Sequence, residues 1–211
     1  MPDLITSEEM LIDWMTAPSP AVVGAVSELE GDVVILGAGG KMGPTLAELL
    51  VRAGARRVIG VSRFSDARVG AYLEETGVET VRADLLDENE LARLPDAPNV
   101  LFLAGFKFGA TGNSPMTWAM NTWLPGRIMR RYAGSRIVYV SSGNVYAYTR
   151  VAGGGADEDG EIGPVGEYAQ SRLGGERIAE HLCVEQGTPL LIVRLFYATE
   201  LRYGIIHDLG R

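Results

Sequence analysis

The sequence predicts an α/β protein with a doubly wound parallel sheet and helices on both faces. A glycine-rich turn stands between an apolar run and an amphipathic stretch, which is the pattern of strand, tight turn and helix. Further short apolar runs alternate with helical patterns, and such unbroken runs are typical of parallel strands buried on both faces. With 211 residues, 46% of them hydrophobic, the chain is long enough to bury one substantial core.

Two short helices are expected before the first strand. Thr6-Ser-Glu-Glu9 has the spacing of a capping box, and Pro18 and Pro20 interrupt the segment that follows. The sequence therefore predicts an N-terminal helical extension over residues 1–30 and one α/β domain over residues 31–211.

Six apolar runs predict the strands of this domain. They occupy residues 33–36, 58–61, 81–83, 100–103, 137–140 and 190–193. A helix after the fourth run begins at Ser114-Pro115, an N-cap followed by proline at the first helical position, and Pro125-Gly126 is expected to kink it. The glycine-rich, acidic stretch 153–166 predicts a long surface loop, and long loops beside a ligand often act as lids.

The composition argues against several classes of partner. A net charge of −8 disfavours nucleic acid and anionic membrane surfaces. Cys183 is the only cysteine, and with two histidines it gives no metal-ligand spacing. No apolar run reaches the length of a membrane span, and the first residues lack the features of a signal peptide. We therefore expect a cytoplasmic protein without a metal, nucleic-acid or membrane partner.

The glycine-rich turn is the first candidate binding site. Glycines let backbone amides approach a pyrophosphate and let the following helix N-terminus face its charge. Taken alone, the turn could equally be a plain corner between strand and helix, but the motifs further along the chain favour dinucleotide binding. The turn comprises Gly37, Gly39, Gly40, Lys41, Met42 and Gly43.

The later motifs follow the turn in a fixed order. Ser141-Ser142-Gly143-Asn144-Val145-Tyr146 comes directly after the fifth apolar run, and Pro164 precedes Tyr168-Ala-Gln-Ser-Arg172. With the turn, these motifs resemble the extended short-chain dehydrogenase/reductase family, which includes NAD(P)-dependent sugar epimerases and dehydratases. The resemblance covers roughly residues 32–197. It implies a Rossmann-like NAD(P)-binding domain over residues 31–211, a carbohydrate-like small-molecule substrate and a homodimer.

The resemblance also implies catalytic roles. Ser142 would polarise the substrate oxygen, Tyr168 would transfer the proton, and Arg172 stands where the family has a lysine that holds the ribose. Because a residue and its neighbour four positions later share one helical face, the guanidinium could sit beside the phenol. Lys107, just past the fourth apolar run, could supply the missing ammonium, or it could be an ordinary surface lysine.

Further cofactor contacts are implied at the ends of the strands. After the second run the chain has Ser62-Arg63 in place of the acid that would repel a 2′-phosphate, which favours NADP over NAD. Arg63 and Lys41 would bind that phosphate, although both could be solvated surface residues. Two other segments would also contact the cofactor: Asp84-Leu85 at the adenine, and Leu103-Ala104-Gly105 at the nicotinamide. Both could equally be ordinary strand ends. Lys107, Tyr168 and Arg172 complete the cofactor-binding set.

Two departures from the family bear on the reaction and on the substrate. Gly143 and Asn144 occupy the positions of an aspartate and a glutamate in the dehydratases, which disfavours elimination of water. The sequence ends at Arg211, whereas extended members continue into a smaller region that closes over the substrate. We expect that C-terminal substrate region to be largely missing.

The sequence leaves three functions open. The leading one is an NAD(P)-dependent oxidoreductase or epimerase that acts by hydride transfer on a sugar-like or nucleotide-sugar secondary alcohol. The second is a catalytically silent NAD(P)-binding sensor or partner subunit, which Arg172 would suit. The third is a truncated fragment of a larger epimerase/dehydratase-like enzyme.

Overall fold

A computed structural model describes residues 4–107 and 112–196 of the chain. Within these residues, the strands are β1 (Val33–Leu36), β2 (Val58–Ser62), β3 (Glu79–Arg82), β4 (Asn99–Phe102), β5 (Arg136–Ser142) and β6 (Leu190–Leu195). They form a six-stranded sheet in the order β3-β2-β1-β4-β5-β6. β1 pairs in parallel with β2 and β4, and β2 pairs in parallel with β3. The predicted doubly wound α/β fold is confirmed.

Helices connect these strands. They are α1 (Glu8–Thr16), α2 (Pro20–Ser27), α3 (Gly43–Arg52), α4 (Ala67–Glu75), α5 (Glu88–Ala92), α6 (Ser114–Trp118), α7 (Leu124–Arg131) and α8 (Gly166–Gln186). A π-helical turn, Ala119–Trp123, joins α6 to α7, and a 3₁₀ turn, Gly143–Val145, follows β5. Among the described residues, no helix is both long enough and apolar enough to cross a membrane.

The chain forms two compact units. The first takes in the described part of Met1–Ala104 together with Ser135–Ile137, and the second takes in Gly105–Gly134 and the described part of Val138–Arg211. The core of the first unit is apolar because β1 and β2 are Val/Ile-rich and fully covered. One cluster of its buried residues comprises Val26, Val33, Ile35, Ala38, Ala47, Leu50, Ala53, Val58, Phe64, Leu73 and Val78.

The two N-terminal helices belong to the first unit. Ser7 caps α1, so the capping box expected from Thr6 does not form. Buried Thr16, at the end of α1, donates a hydrogen bond of 3.1 Å to Glu48 of α3. Arg52, also on α3, donates to the Thr16 hydroxyl at 2.6 Å. These polar contacts fix α1 on the outer face of α3.

An irregular helix lies near the start of the second unit. The expected kink at Pro125 is preceded by the π-helical turn, because proline has no N–H to donate to the carbonyl of Asn121. Gly175 of α8 approaches that carbonyl so closely that a Cβ there would lie 2.1 Å from the oxygen. The glycine is therefore required for this helix contact.

A buried ion pair ties α8 to β5 and β6. Glu176 is fully buried, and its carboxylate accepts hydrogen bonds from Arg194 of β6 at 2.8–3.3 Å and from the hydroxyl of Ser141 in β5. Arg194 also donates to the Tyr146 hydroxyl at 2.9 Å. The bonds to Glu176 raise the pKa of the Arg194 guanidinium. Four side chains thus satisfy one another around a carboxylate that is fully buried.

This ion pair generates the first prediction. Arg194→Leu leaves Glu176 buried without its counter-charge, so it should lower the free energy of unfolding by about 3 kcal/mol. Arg177→Leu is the matched control, since Arg177 pairs with Glu180 on the exposed face of α8 at 2.8 Å. It should cost less than about 1 kcal/mol. Urea denaturation followed by circular dichroism compares the two, and equal losses would contradict the assigned role.

Candidate functional site

The glycine turn of the first unit begins directly after β1. The amides of Gly37 and Ala38 both donate to the carbonyl of Val61, at 2.9 and 3.1 Å. Gly37 has a φ of 96°, and a Cβ at this position would lie 2.8 Å from the backbone nitrogen of Ala104. The left-handed conformation and the close backbone approach both require glycine here.

The rest of the turn is equally tight. A Cβ at Gly39 would lie 2.5 Å from the Ser62 hydroxyl, and a Cβ at Gly43 would lie 2.2 Å from the carbonyl oxygen of Ala38. Met42 precedes α3, and among the described residues no side chain caps that helix. Amides at the start of α3 therefore remain available to an anion, as at other glycine-rich helix N-termini.

The end of β2 carries the residues expected to choose between NAD and NADP. Ser62 is half-buried against the turn, and Arg63 is exposed. The acid of the following loop is Asp66, which caps α4 and pairs with Arg68 at 2.7 Å. The Arg68 hydrogen bonds lower the pKa of Asp66 to about 2. The Asp66 carboxylate is thus paired with Arg68.

The ends of β3 and β4 have ordinary turn chemistry. Asp84 accepts a hydrogen bond from the Leu86 amide at 3.0 Å, and its own amide donates to Glu90 at 2.6 Å. Leu85 is buried. Beyond β4, the amide of Ala104 continues the ladder by donating to the carbonyl of Leu36 at 3.1 Å. Asp84 and Leu85 thus have local contacts, and their role at the adenine stays a prediction.

In the second unit, Ser142 stands at the end of β5. Its hydroxyl is buried and accepts a hydrogen bond from the Asn144 amide at 3.2 Å, which caps the 3₁₀ turn. Gly143 lies against the Phe196 ring, and a Cβ here would lie 2.5 Å from the ring. An aspartate at position 143 would have to displace Phe196.

Tyr168 lies in the first turn of α8 and is half-buried. The ammonium of Lys107 lies 5.5 Å from the centroid of its ring. The Ser171 hydroxyl donates to the Tyr168 carbonyl at 2.9 Å. The structure thus brings Lys107 and Tyr168 together within one unit.

Arg172 is turned away from the phenol. Only 3% of it is exposed, its guanidinium donates to the carbonyl of Val140, and its Cζ lies 5.1 Å from the centroid of the Tyr139 ring. Within the described residues it makes no hydrogen bond to Tyr168, and its buried Nε has no hydrogen-bond partner. Burial raises the pKa of Tyr139 to about 12, and the Arg172 charge opposes that rise.

Two side chains of this site are not among the predicted site residues. Asn121 is fully buried and binds both backbone groups of Phe106: its side-chain oxygen accepts from the Phe106 N–H at 2.8 Å, and its side-chain nitrogen donates to the Phe106 carbonyl at 3.0 Å. Glu176 is the other. It could have been found by spacing, since it follows Tyr168 and Arg172 at intervals of four along one helical face.

The family is given by a sequence match. The model of the NAD-dependent epimerase/dehydratase family matches residues 33–199, more than half of the chain. The chain belongs to this family. The match confirms the resemblance drawn from the glycine turn and from the Ser142 and Tyr168 motifs. Comparison with curated proteins finds no match.

Several solved structures share the fold. The UDP-glucuronic acid 4-epimerase from Bacillus cereus, in complex with NAD, is 20% identical, with a TM-score of 0.67 over 78% of this chain and 56% of its own. The UDP-Glc/GlcNAc 4-epimerase from Campylobacter jejuni is 15% identical, with a TM-score of 0.71 over 78% and 53%. MoeE5, in complex with UDP-glucose and NAD, is 26% identical, with a TM-score of 0.63 over 80% and 55%. The chain therefore spans little more than half the length of these proteins.

The turn geometry generates the second prediction. In Gly43→Ala the new Cβ meets a backbone oxygen that cannot move aside, so the free energy of unfolding should fall by about 1–3 kcal/mol. Gly24→Ala in α2 is the control, because nothing lies within 4 Å of a Cβ there. It should raise stability by about 0.5–1 kcal/mol. Urea denaturation measures both, and a neutral Gly43→Ala would show that the turn is not tightly packed.

Proposed function

We propose that the chain is an NAD(P)-dependent oxidoreductase or epimerase that acts on a secondary alcohol of a sugar-like substrate. The observation that carries this proposal is the position of Tyr168, a half-buried phenol in the first turn of α8, in the same unit as the Ser142 hydroxyl. Membership of the NAD-dependent epimerase/dehydratase family supports the same class of reaction.

The first unit fits a dinucleotide. Gly39 and Gly40 carry no side chain, and none caps α3 within the described residues, so the amides at the start of α3 can face a pyrophosphate. We assign Gly37, Gly39, Gly40, Lys41, Met42 and Gly43 to the pyrophosphate. When bound, the nicotinamide would supply the group that accepts or returns a hydride.

We propose that NADP is preferred over NAD. Arg63 is exposed and offers a planar fork to a 2′-phosphate. The nearest acid in sequence, Asp66, is held by Arg68. With that carboxylate neutralised by its own partner, the repulsion that would exclude a 2′-phosphate is weak.

Two hydroxyls of the second unit would act on the substrate. The Ser142 hydroxyl accepts the Asn144 amide, so its own proton remains free to be donated to a substrate oxygen. Tyr168 would take the proton of a substrate alcohol, or return it to a carbonyl oxygen, as general base or acid.

We propose a nucleotide sugar as the substrate class. The UDP-glucuronic acid 4-epimerase in complex with UDP-glucuronic acid, and MoeE5 in complex with UDP-glucose, support this proposal. Elimination of water is not proposed, because Gly143 is packed beneath Phe196 and position 144 holds an amide instead of an acid.

One observation favours a second function, a catalytically silent NAD(P)-binding sensor or partner subunit. Arg172 is engaged with the Val140 carbonyl and the Tyr139 ring instead of facing the phenol. A protein that keeps the glycine turn, but whose Arg172 guanidinium binds the main chain, could bind a dinucleotide without turning over a substrate.

We also propose a homodimer formed through the segment around Asn121 and α8. Trp118 and Trp123 expose 38% and 51% of their surface in this part of the second unit. Exposed tryptophans of this kind are typical of protein interfaces.

The third prediction concerns the cofactor. Arg63→Ala should weaken NADP binding by about 1.5–3 kcal/mol, the value of a hydrogen bond to a charged group, and leave NAD binding nearly unchanged. Arg56→Ala is the control: its side chain is 79% exposed and it precedes β2, at the other end of that strand. Titration calorimetry with both cofactors measures the ratio. An NADP/NAD ratio that Arg63→Ala leaves unchanged would remove the proposed preference.

The fourth prediction separates an enzyme from a binding module. Tyr168→Phe should lower turnover of a nucleotide sugar by about 10²–10⁴-fold, because the proton-transferring hydroxyl is lost, while cofactor affinity stays nearly the same. Tyr148→Phe, at an exposed tyrosine, should be silent. Product chromatography with a panel of nucleotide sugars measures the rate. Wild-type turnover that survives Tyr168→Phe would exclude this tyrosine as the acid–base group.

A further inference from the structure

We propose that Lys107, and not Arg172, supplies the positive charge that stabilises the Tyr168 phenolate. The inference deepens the proposed function, on which it rests for the catalytic meaning of Tyr168. Lys107 acts through Tyr168 and not on the substrate itself.

The contacts of Arg172 leave the phenol without its family cation. The guanidinium is buried, donates to the Val140 carbonyl and lies over the Tyr139 ring. One side of it also packs against the backbone, because a Cβ at Gly105 would lie 2.8 Å from its Nη1. Within the described residues, none of the N–H groups of Arg172 donates to Tyr168.

Lys107, unlike Arg172, has its charged group against the ring of Tyr168. Its ammonium lies 5.5 Å from the centroid of the Tyr168 ring, within the range of a cation–π contact. Within residues 4–107 and 112–196, no carboxylate forms a salt bridge with it. Among the described residues, the contact of the Lys107 ammonium is therefore with the tyrosine ring and not with an acid.

The fold holds Lys107 in this place. Asn121 binds the peptide of Phe106, the residue before Lys107, through both its amide and its carbonyl. Asn121 also donates to the Ser171 hydroxyl at 3.1 Å, and Ser171 donates to the Tyr168 carbonyl. The contacts form a closed ring, from Tyr168 through Ser171, Asn121 and Phe106 to Lys107 and back to the Tyr168 ring. Asn121 is thus a positioning residue for the ammonium.

Lysine is rare in this chain. Of its 19 basic side chains, only Lys41 and Lys107 are lysines, and the other 17 (19 − 2) are arginines. A compact ammonium approaches a phenol more closely than a planar guanidinium, whose charge is spread over a fork. Lysine is thus used at the one position where the cation faces Tyr168.

Other groups around Tyr168 are few among the described residues. Tyr139 of β5 interacts with it electrostatically, and Glu167 is its neighbour on α8. The Glu167 carboxylate accepts a hydrogen bond from the indole of Trp118. Glu176, two turns further along α8, is paired with Arg194 of β6. Among the cations, this leaves Lys107 and Arg172 as the two to be compared.

The test is a spectrophotometric titration of one phenol, without any turnover. The chain has eight tyrosines, and the ultraviolet difference between the protein and its Tyr168→Phe variant isolates the ionisation of Tyr168. The same difference is then recorded in the Lys107→Gln, Lys107→Arg and Arg172→Gln backgrounds. Arg177→Gln, which removes an equal charge from the exposed face of α8, is the control for net charge. Circular dichroism verifies that each variant is folded.

The expected result is that Lys107→Gln moves the midpoint upward by about 1 pH unit or more, the size of effect a neighbouring charge produces. Lys107→Arg should move it less, and Arg177→Gln should leave it in place. An unmoved midpoint in Lys107→Gln, or a larger movement in Arg172→Gln, would overturn the proposal. A midpoint that moves as expected in a protein that turns over no nucleotide sugar would uphold the role of Lys107 and count against the proposed function alone.

Discussion

The second unit depends on one buried carboxylate, that of Glu176. A charge enclosed by protein is stable only when hydrogen bonds and a counter-charge replace the lost water. Arg194 and Ser141 supply these partners, and in doing so they fix α8 to two strands at a single point. Arg172 and Tyr168 lie one and two turns earlier on the same helical face, so this anchor also determines where they lie.

The two units are stabilised in different ways. In the first, aliphatic side chains from β1, β2 and α3 fill the core, and the glycine turn exploits their close packing to bring backbone atoms together. In the second, buried polar side chains such as Asn121 and Ser171 bond to one another and to the main chain. Apolar packing tolerates small shifts, whereas a hydrogen-bonded group holds its partner at one distance. In the second unit such bonds reach the backbone of Tyr168, beside an apolar core that includes Leu124, Ile128 and Met129.

Much of the fold could be predicted because apolar runs report directly on buried strands. The first strand begins and ends where the sequence predicts, whereas β3 begins two residues before its predicted start because it is an edge strand with exposed Glu79 and Arg82. Spacing placed Tyr168 and Arg172 on one helical face. It could not show where a long guanidinium ends, since that depends on the carbonyl of Val140 and the space left beside Gly105. The clamp made by Asn121 joins residues fifteen apart, which no local pattern reveals.

The contact between Gly105 and Arg172 has an evolutionary consequence. A side chain at position 105 would press on the guanidinium, so Arg172 in its present position favours glycine at 105. A lineage returning to lysine at 172 would lose the bond to the Val140 carbonyl and leave space beside residue 105. That space would admit a larger residue at 105, and the second change would then block the way back to arginine.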